Sequence, residues 1–250
     1  MAMVEGGRER SETFFDLLDR ALKRALDAAF AASLLVLASP LIALLALGIK
    51  LDSPGPAFYR CRRVGQHGRV LLMLKFRKMR DGASGPALSA PDDARFTRLG
   101  SFLARTKLDE LPQLWNVLAG EMSLVGPRPE DPAFVELNKG AYSTILEVRP
   151  GMTGLSQLAF ARESDILDPD DRHGHYVRRI LPQKIGMDTL YADQRSLGMD
   201  LRILWWTMRA VVGRSDVAVH RGTGHLTHRA PRTIELEGYG LTRFAEQKAS

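Results

Sequence analysis

The stretch AAFAASLLVLASPLIALLALGIKL, residues 28–51, decides how this chain is built. From Ala28 to Ile49 it carries no charged side chain. About 20 apolar residues suffice to cross the hydrocarbon core of a bilayer as a helix. Two features complicate a simple span. Ser39-Pro40 falls near the middle, where proline removes a helical hydrogen bond and crowds the preceding turn. Basic residues also flank both ends, with Arg20, Lys23 and Arg24 before and Lys50, Arg60, Arg62 and Arg63 after. A single crossing places its basic residues mostly on one side. A helix that enters, bends at Ser39 and Pro40 and returns to the same face satisfies both observations. A kinked span remains the alternative on these residues alone.

Ahead of it, SETFFDLLDRALKRALDAAF has helical periodicity. Phe14, Leu17, Leu18, Ala21, Leu22 and Ala25 form one apolar stripe, and Arg20, Lys23 and Arg24 lie off it. This is an amphipathic helix for a membrane surface or for the face of a domain. The apolar run is too long for a secretory signal and lacks a cleavage site.

The 250 residues allow one good-sized domain with appendages. A formal net charge of +6 suits an acidic partner: nucleic acid, an anionic membrane or a phosphate-bearing substrate. Cys61 is the only cysteine, which excludes an internal disulfide framework and a cysteine metal cluster.

Downstream, VLLMLKFRKMR reads as a strand running into a basic cluster, and DGASGPALSAPDD as a mobile loop. Helix is expected over 95–120, 133–145 and 181–212, a Gly- and Pro-rich loop at GEMSLVGPRPEDP, and a turn and strand at RPGMTGLSQLAF. From Gly213 the chain is polar and broken, as a loose tail would be.

Asp109 and Glu110 are adjacent in KLDELPQLWN. Asp is a preferred N-cap, and Pro112 fits a first helical turn, so Asp109 is expected to cap the helix ELPQLWNVLAG. A helix N-terminus favours negative charge, which keeps Asp109 ionised as a nucleophile or metal ligand must be. Adjacent side chains diverge, so one acid can attack while the other binds metal or handles a proton. A capped helix with one extra acid is the plain alternative. In LVGPRPE the Gly126-Pro127-Arg128-Pro129 unit stiffly presents one arginine, whose planar fork suits phosphate. Arg149 in VRPGMTG and Lys75, Arg77, Lys78 and Arg80 in LKFRKMR repeat the basic theme, although such clusters are usually solvated surface.

KFRKMR, RTKLDELPQLWNVLAGEMSLVGPRPE, RPGMTGLSQ and MDTLYADQRSLGMDLRIL together resemble the bacterial sugar transferases, the monotopic phosphoglycosyl transferases that initiate exopolysaccharide, O-antigen and glycan assembly. The resemblance covers roughly residues 25–212. It favours a re-entrant membrane helix broken at Ser39 and Pro40. It implies transfer of a phosphosugar from a nucleotide-activated sugar, usually UDP-linked, to undecaprenyl phosphate. UMP leaves, and the intermediate is a covalent aspartyl phosphosugar. It implies Asp109 as nucleophile, Glu110 as its partner, Arg128 as a phosphate ligand, and Lys75, Arg77 and Arg149 as further substrate contacts. Mg²⁺ is the implied cofactor, with Asp109 and Asp188 as candidate ligands and Asp188 also a candidate substrate contact. Members often carry two basic residues just before the dyad; here Ala104 precedes Arg105.

The expected fold is α+β and mostly helical. Residues 1–50 form the amphipathic and re-entrant helices, 51–213 the catalytic domain on the cytoplasmic face of the bacterial inner membrane, and 214–250 a polar tail. The expected partners are that membrane, undecaprenyl phosphate and a nucleotide sugar, with a homodimer as one option and no nucleic acid. Two rival classes are a membrane-tethered basic protein that binds nucleic acid and an inactive scaffold for glycan enzymes. The stretch 161–184 is where sugar choice is expected to lie. Trp205 and Trp206 are candidates for interfacial anchors or for core.

Overall fold

The computed structural model describes residues 14–86, 88–90, 93–213 and 217–228. It is a mostly helical α+β structure. It opens with α1, Phe14–Asp52, a single helix of 39 residues, about 58 Å long at 1.5 Å per residue. The expected break is therefore not an interruption, because the helix continues through Pro40. Pro40 leaves the Val36 carbonyl without its backbone donor, and the Ser39 hydroxyl donates to that carbonyl at 2.8 Å.

The helix is amphipathic in an unusual sense. Its domain-facing side at the N-terminal half is charged. Arg24 donates to the carbonyls of Val117 and Leu118 at 2.7 and 2.8 Å. Lys23 reaches Asp200 at 2.5 Å, and buried Asp27 accepts from the Ser123 hydroxyl at 2.7 Å. The apolar stripe faces outward, with Leu17, Leu18, Leu22, Phe30, Leu34, Leu37, Leu44 and Leu51 all exposed, Leu37 at 77%. Beyond Ala31, which is buried in the main core, Leu45 and Ile49 join a second core cluster with Ala57, Phe76 and Leu103. Both halves of α1, on either side of Ser39 and Pro40, are thus packed on one domain.

The domain is built of short elements. Strands β1, Phe58–Val64, and β2, Val70–Phe76, form an antiparallel hairpin with Phe58 opposite Phe76 and Val64 opposite Val70. The sequence reading found β2 and missed β1, because Arg60, Arg62 and Arg63 hide its alternation. Helix α2, Arg98–Thr106, ends at Lys107, whose φ of 60° is left-handed. A 3₁₀ turn, Leu108–Gln113, then leads into α3, Leu114–Ala119. The expected continuous helix over 95–120 is therefore three pieces. Strand β3, Ser123–Val125, pairs in parallel with β4, Gly151–Thr153. Between them lie α4, Pro132–Leu137, and α5, Lys139–Ile145, which meet at Asn138.

After β4 come α6, Leu155–Ala159, α7, Glu163–Ile166, and α8, Arg172–His175. A π-helical turn, Tyr176–Ile180, continues into α9, Leu181–Gln194. Helix α10, Leu197–Gly213, follows a break at Arg195 and Ser196, where one helix was expected. Trp205 is 62% exposed, whereas Trp206 packs partly on the main core. The expected loose tail is corrected over its described part. Val217–Val219 and Leu226–His228 form an antiparallel hairpin, β5 and β6, with Val217 and Leu226 buried in the main core. Residues 229–250 and 1–13 lie outside the described residues.

Candidate active site

The dyad sits in the 3₁₀ turn rather than at a cap. Lys107 holds the N-cap position and provides no side-chain hydrogen bond, so Asp109 does not cap the helix as expected. The physical reason is the left-handed Lys107, which ends α2 and starts a tight turn one residue before the dyad. Asp109 and Glu110 both fall in the first turn, where the exposed N–H groups still favour negative charge.

Asp109 is 2% exposed, and Lys78 approaches its Oδ2 at 3.3 Å. Glu110 Oε1 lies 3.1 Å from Lys75 Nζ and 3.1 Å from Arg128 Nη2. Three cations thus converge on two carboxylates, leaving positive charge in excess for a phosphate. Burial by itself would raise the Glu110 carboxyl, but Lys75, Arg128 and Lys107 outweigh it and hold the group well below the ordinary carboxylate range. Burial lowers the Lys75 ammonium, with Glu110 pulling it back up. Glu110 raises the Arg128 guanidinium further still.

Each cation is fixed by its own support. Lys75 is the next-to-last residue of β2, and the Asn116 side chain serves that strand as a surrogate partner: its amide donates to the Leu72 carbonyl at 3.0 Å and its oxygen accepts from Leu74 N–H at 2.9 Å. Sequence reasoning missed Asn116, whose only signal is one polar residue inside the apolar LWNVLA. Lys78 is pinned through its backbone. Its carbonyl accepts from Thr97 N–H at 3.1 Å and lies against Gly100, leaving no room there for a Cβ.

Arg128 stands on the loop after β3. Gly126 N–H donates to the Thr153 carbonyl at 2.9 Å, and Gly151 N–H donates to the Pro127 carbonyl at 2.8 Å. Gly126, Gly151 and Gly154 approach so closely that a Cβ on any of them would collide with backbone. The two motifs read separately in the sequence, GPRP and RPGMTG, are one backbone-to-backbone unit. Glu130 ties the far side of the loop, accepting from the Tyr176 hydroxyl at 2.6 Å, with buried Lys184 at 3.6 Å. Lys184 also reaches Glu163 at 3.0 Å.

The other expected site residues are placed differently. Arg77 is buried and donates to the carbonyls of Ser53 and Pro54 at the end of α1, and to the Ser53 hydroxyl at 3.0 Å. It is a clamp on the C-terminal end of α1, not part of the dyad cluster. Arg149 is half-buried, and its carbonyl packs against Gly126. Asp188, on α9, is buried beside Ser156, with its Oδ1 unpartnered. Burial pushes its carboxyl up to about 7. Asp109 is paired with Lys78, whereas Asp188 lies beside Ser156 with Arg128 and Lys184 among the charges acting on it. Magnesium is ordinarily held by one or two carboxylates completed by substrate phosphates. Asp109 with Glu110 fits that donor set. Among the described residues no group of three or more His, Cys, Asp or Glu could hold a metal ion by itself.

The sequence profile of the bacterial sugar transferases matches residues 18–214. The chain is 38% identical over 203 residues to the exopolysaccharide production protein PSS of Rhizobium leguminosarum bv. phaseoli, covering 76% of this chain and 95% of that protein. It is 40% identical over 195 residues to the UDP-glucose:undecaprenyl-phosphate glucose-1-phosphate transferase of Caulobacter vibrioides, covering 76% and 69%. It is 36% identical over 198 residues to the UDP-N-acetylgalactosamine-undecaprenyl-phosphate N-acetylgalactosaminephosphotransferase of Aeromonas hydrophila, covering 76% and 44%. The chain belongs to the bacterial sugar transferase family. It is accordingly a transferase enzyme, as the sequence led us to expect.

Proposed function

We propose that this enzyme transfers a phosphosugar from a UDP-sugar to undecaprenyl phosphate, with UMP as the leaving group. The observation that carries the reading is the convergence of Lys75, Lys78 and Arg128 on the adjacent carboxylates of Asp109 and Glu110. In the first step an Asp109 carboxylate oxygen attacks the sugar-bearing phosphorus. The bond to the bridging oxygen breaks, and UMP departs with that oxygen. In the second step an oxygen of undecaprenyl phosphate attacks the same phosphorus, and the bond to Asp109 breaks. No proton is gained or lost overall. Both steps bring anions together, so their rate depends on fixed positive charge near the phosphoryl oxygens. Arg128 and Lys75 neutralise that charge, Lys78 balances Asp109, and Glu110 keeps Lys75 and Arg128 in place. Arg149 is a further candidate contact at the rim of the Arg128 loop. Asp188, with an unpartnered oxygen beside Ser156, suits a hydroxyl of the substrate. Asp109 and Glu110 would hold Mg²⁺, which supplies charge neutralisation at the phosphate when bound.

The same proposal puts the enzyme on the cytoplasmic face of the inner membrane, with both ends of α1 on that side. The outward apolar face of α1 supports this, because lipid is the medium that matches it. So does the packing of both α1 halves on one domain, which suits a helix that stays on the domain's side of the bilayer. The sugar is left to experiment: relatives of comparable identity are named for glucose and for N-acetylgalactosamine.

The test is UMP release from a panel of UDP-sugars with undecaprenyl phosphate, in wild type and Asp109→Asn. Quenching with labelled UDP-sugar and no acceptor should trap a phosphosugar on the wild-type protein alone. Substantial turnover by Asp109→Asn would sink the two-step scheme.

A further inference from the structure

The residue that launches the Arg128 loop is Val125, and its carbonyl is the meeting point of three donors from different parts of the chain. Lys23 Nζ of α1 lies 3.3 Å away, the Tyr191 hydroxyl of α9 3.1 Å, and the Ser123 hydroxyl of β3 2.9 Å. The same donors are held by two buried carboxylates. Asp200 takes Lys23 at 2.5 Å and the Tyr191 hydroxyl at 2.7 Å. Asp27 takes the Ser123 hydroxyl at 2.7 Å and Leu124 N–H at 3.2 Å. Each hydroxyl has one proton to divide between the carbonyl and its carboxylate, so the groups act as a single network rather than as separate bonds.

We propose that this network is a positioning element for Arg128, one that carries the seating of α1 into the phosphate site. The loop between Val125 and Arg128 has no soft joint. Gly126 is locked against β4 by the Thr153 carbonyl, and Pro127 has a fixed φ. A shift at the Val125 carbonyl therefore moves the guanidinium instead of being absorbed. Two of the network's side chains, Lys23 and Asp27, belong to the helix whose opposite face is the exposed apolar stripe. The inference rests on the reading of Arg128 as a phosphate ligand.

Tyr191→Phe and Ser123→Ala test it, since each removes one hydroxyl while the Lys23–Asp200 pair remains. In either variant, purified with the full chain in lipid nanodiscs, kcat for UMP release should fall about tenfold, a change equivalent to ~1.4 kcal/mol. KM for the UDP-sugar should stay within about twofold, because the effect is on transition-state charge. In an Arg128→Lys background Tyr191→Phe should cost less than about twofold more, as expected of residues acting through one another. Amide hydrogen exchange over 124–128 should quicken in both variants and stay unchanged in β1 and β2. The exchange measurement needs no turnover. A wild-type enzyme that releases no UMP would defeat the transferase reading and leave this measurement to decide the positioning role. Unchanged exchange at 124–128, an unchanged kcat, or the same tenfold loss in the Arg128→Lys background would overturn the proposal.

Discussion

The Ser39 hydroxyl donates to the Val36 carbonyl at 2.8 Å, the one carbonyl in α1 that Pro40 deprives of its backbone partner. The side chain thus repairs the defect that its neighbour makes. Ser39→Ala should lower the unfolding free energy in nanodiscs by about 1–3 kcal/mol, the cost of an unsatisfied polar group away from water. In a Pro40→Ala background, where residue 40 supplies its own N–H, the same substitution should cost almost nothing. Equal losses in both backgrounds would dissociate Ser39 from the proline.

The proposed one-sided placement of α1 predicts that its two ends share a compartment. In a Cys61→Ser background, single cysteines at Asp19 and Ser53 should both resist an impermeant thiol reagent applied to intact cells. Both should react in inverted membrane vesicles. Labelling of position 19 alone from outside would establish a full crossing instead.

Arg77 and Arg128 should separate cleanly. Arg77→Lys loses a fork that serves several acceptors at the end of α1, so it should destabilise the protein by about 2–4 kcal/mol, in the range for a broken buried charged hydrogen bond. Its KM should be near normal in the folded fraction. Arg128→Lys should keep its thermal midpoint and lose kcat by tenfold or more, on the order of one disrupted charge-stabilising contact. A stable, slow Arg77→Lys would return that residue to the active site.

Asp188 sets a pH dependence of stability. Its folded pKa of about 7 lies above the usual carboxylate value, so the folded state holds the extra proton between roughly pH 4 and 7. Stability should therefore fall as pH rises through that window and then level off. Glu110 and Glu130 are both lowered, so their contribution is present above the ordinary carboxylate range and is lost as pH falls from that range through their lowered values. Asp188→Asn should flatten the slope between pH 5 and 8 in thermal unfolding. An unchanged slope would assign the titration elsewhere.

Much of this was legible in the sequence, and the failures have physical causes. The uncharged run showed the long apolar helix α1, a local pattern, but not that it continues unbroken through Pro40, because the Ser39 hydroxyl satisfies the carbonyl that proline frees. Asp109, Glu110, Lys75 and Arg128 come together as expected. The basic strand β1 was invisible because Arg60, Arg62 and Arg63 fall on both of its faces and Phe58 and Tyr59 are both exposed, so no polar and apolar alternation shows. The helix breaks at Lys107 and Asn138 escaped because neither residue is Gly or Pro. Arg77 was misplaced because a basic cluster does not announce which member turns inward. Asn116, Tyr191 and Asp200 act across long sequence separations, on β2, Val125 and Lys23, and periodicity carries no record of such pairings.

The glycine-to-glycine seam between residues 126 and 151 has a consequence for anyone wishing to redesign this enzyme. Since a methyl group on either side would strike the other strand, neither loop can be exchanged by itself for one that lacks its glycine. The 123–131 and 149–157 segments form one transplantable cassette. Chimeras should be cut so that both travel together, with Tyr176 and Lys184 retained to receive Glu130.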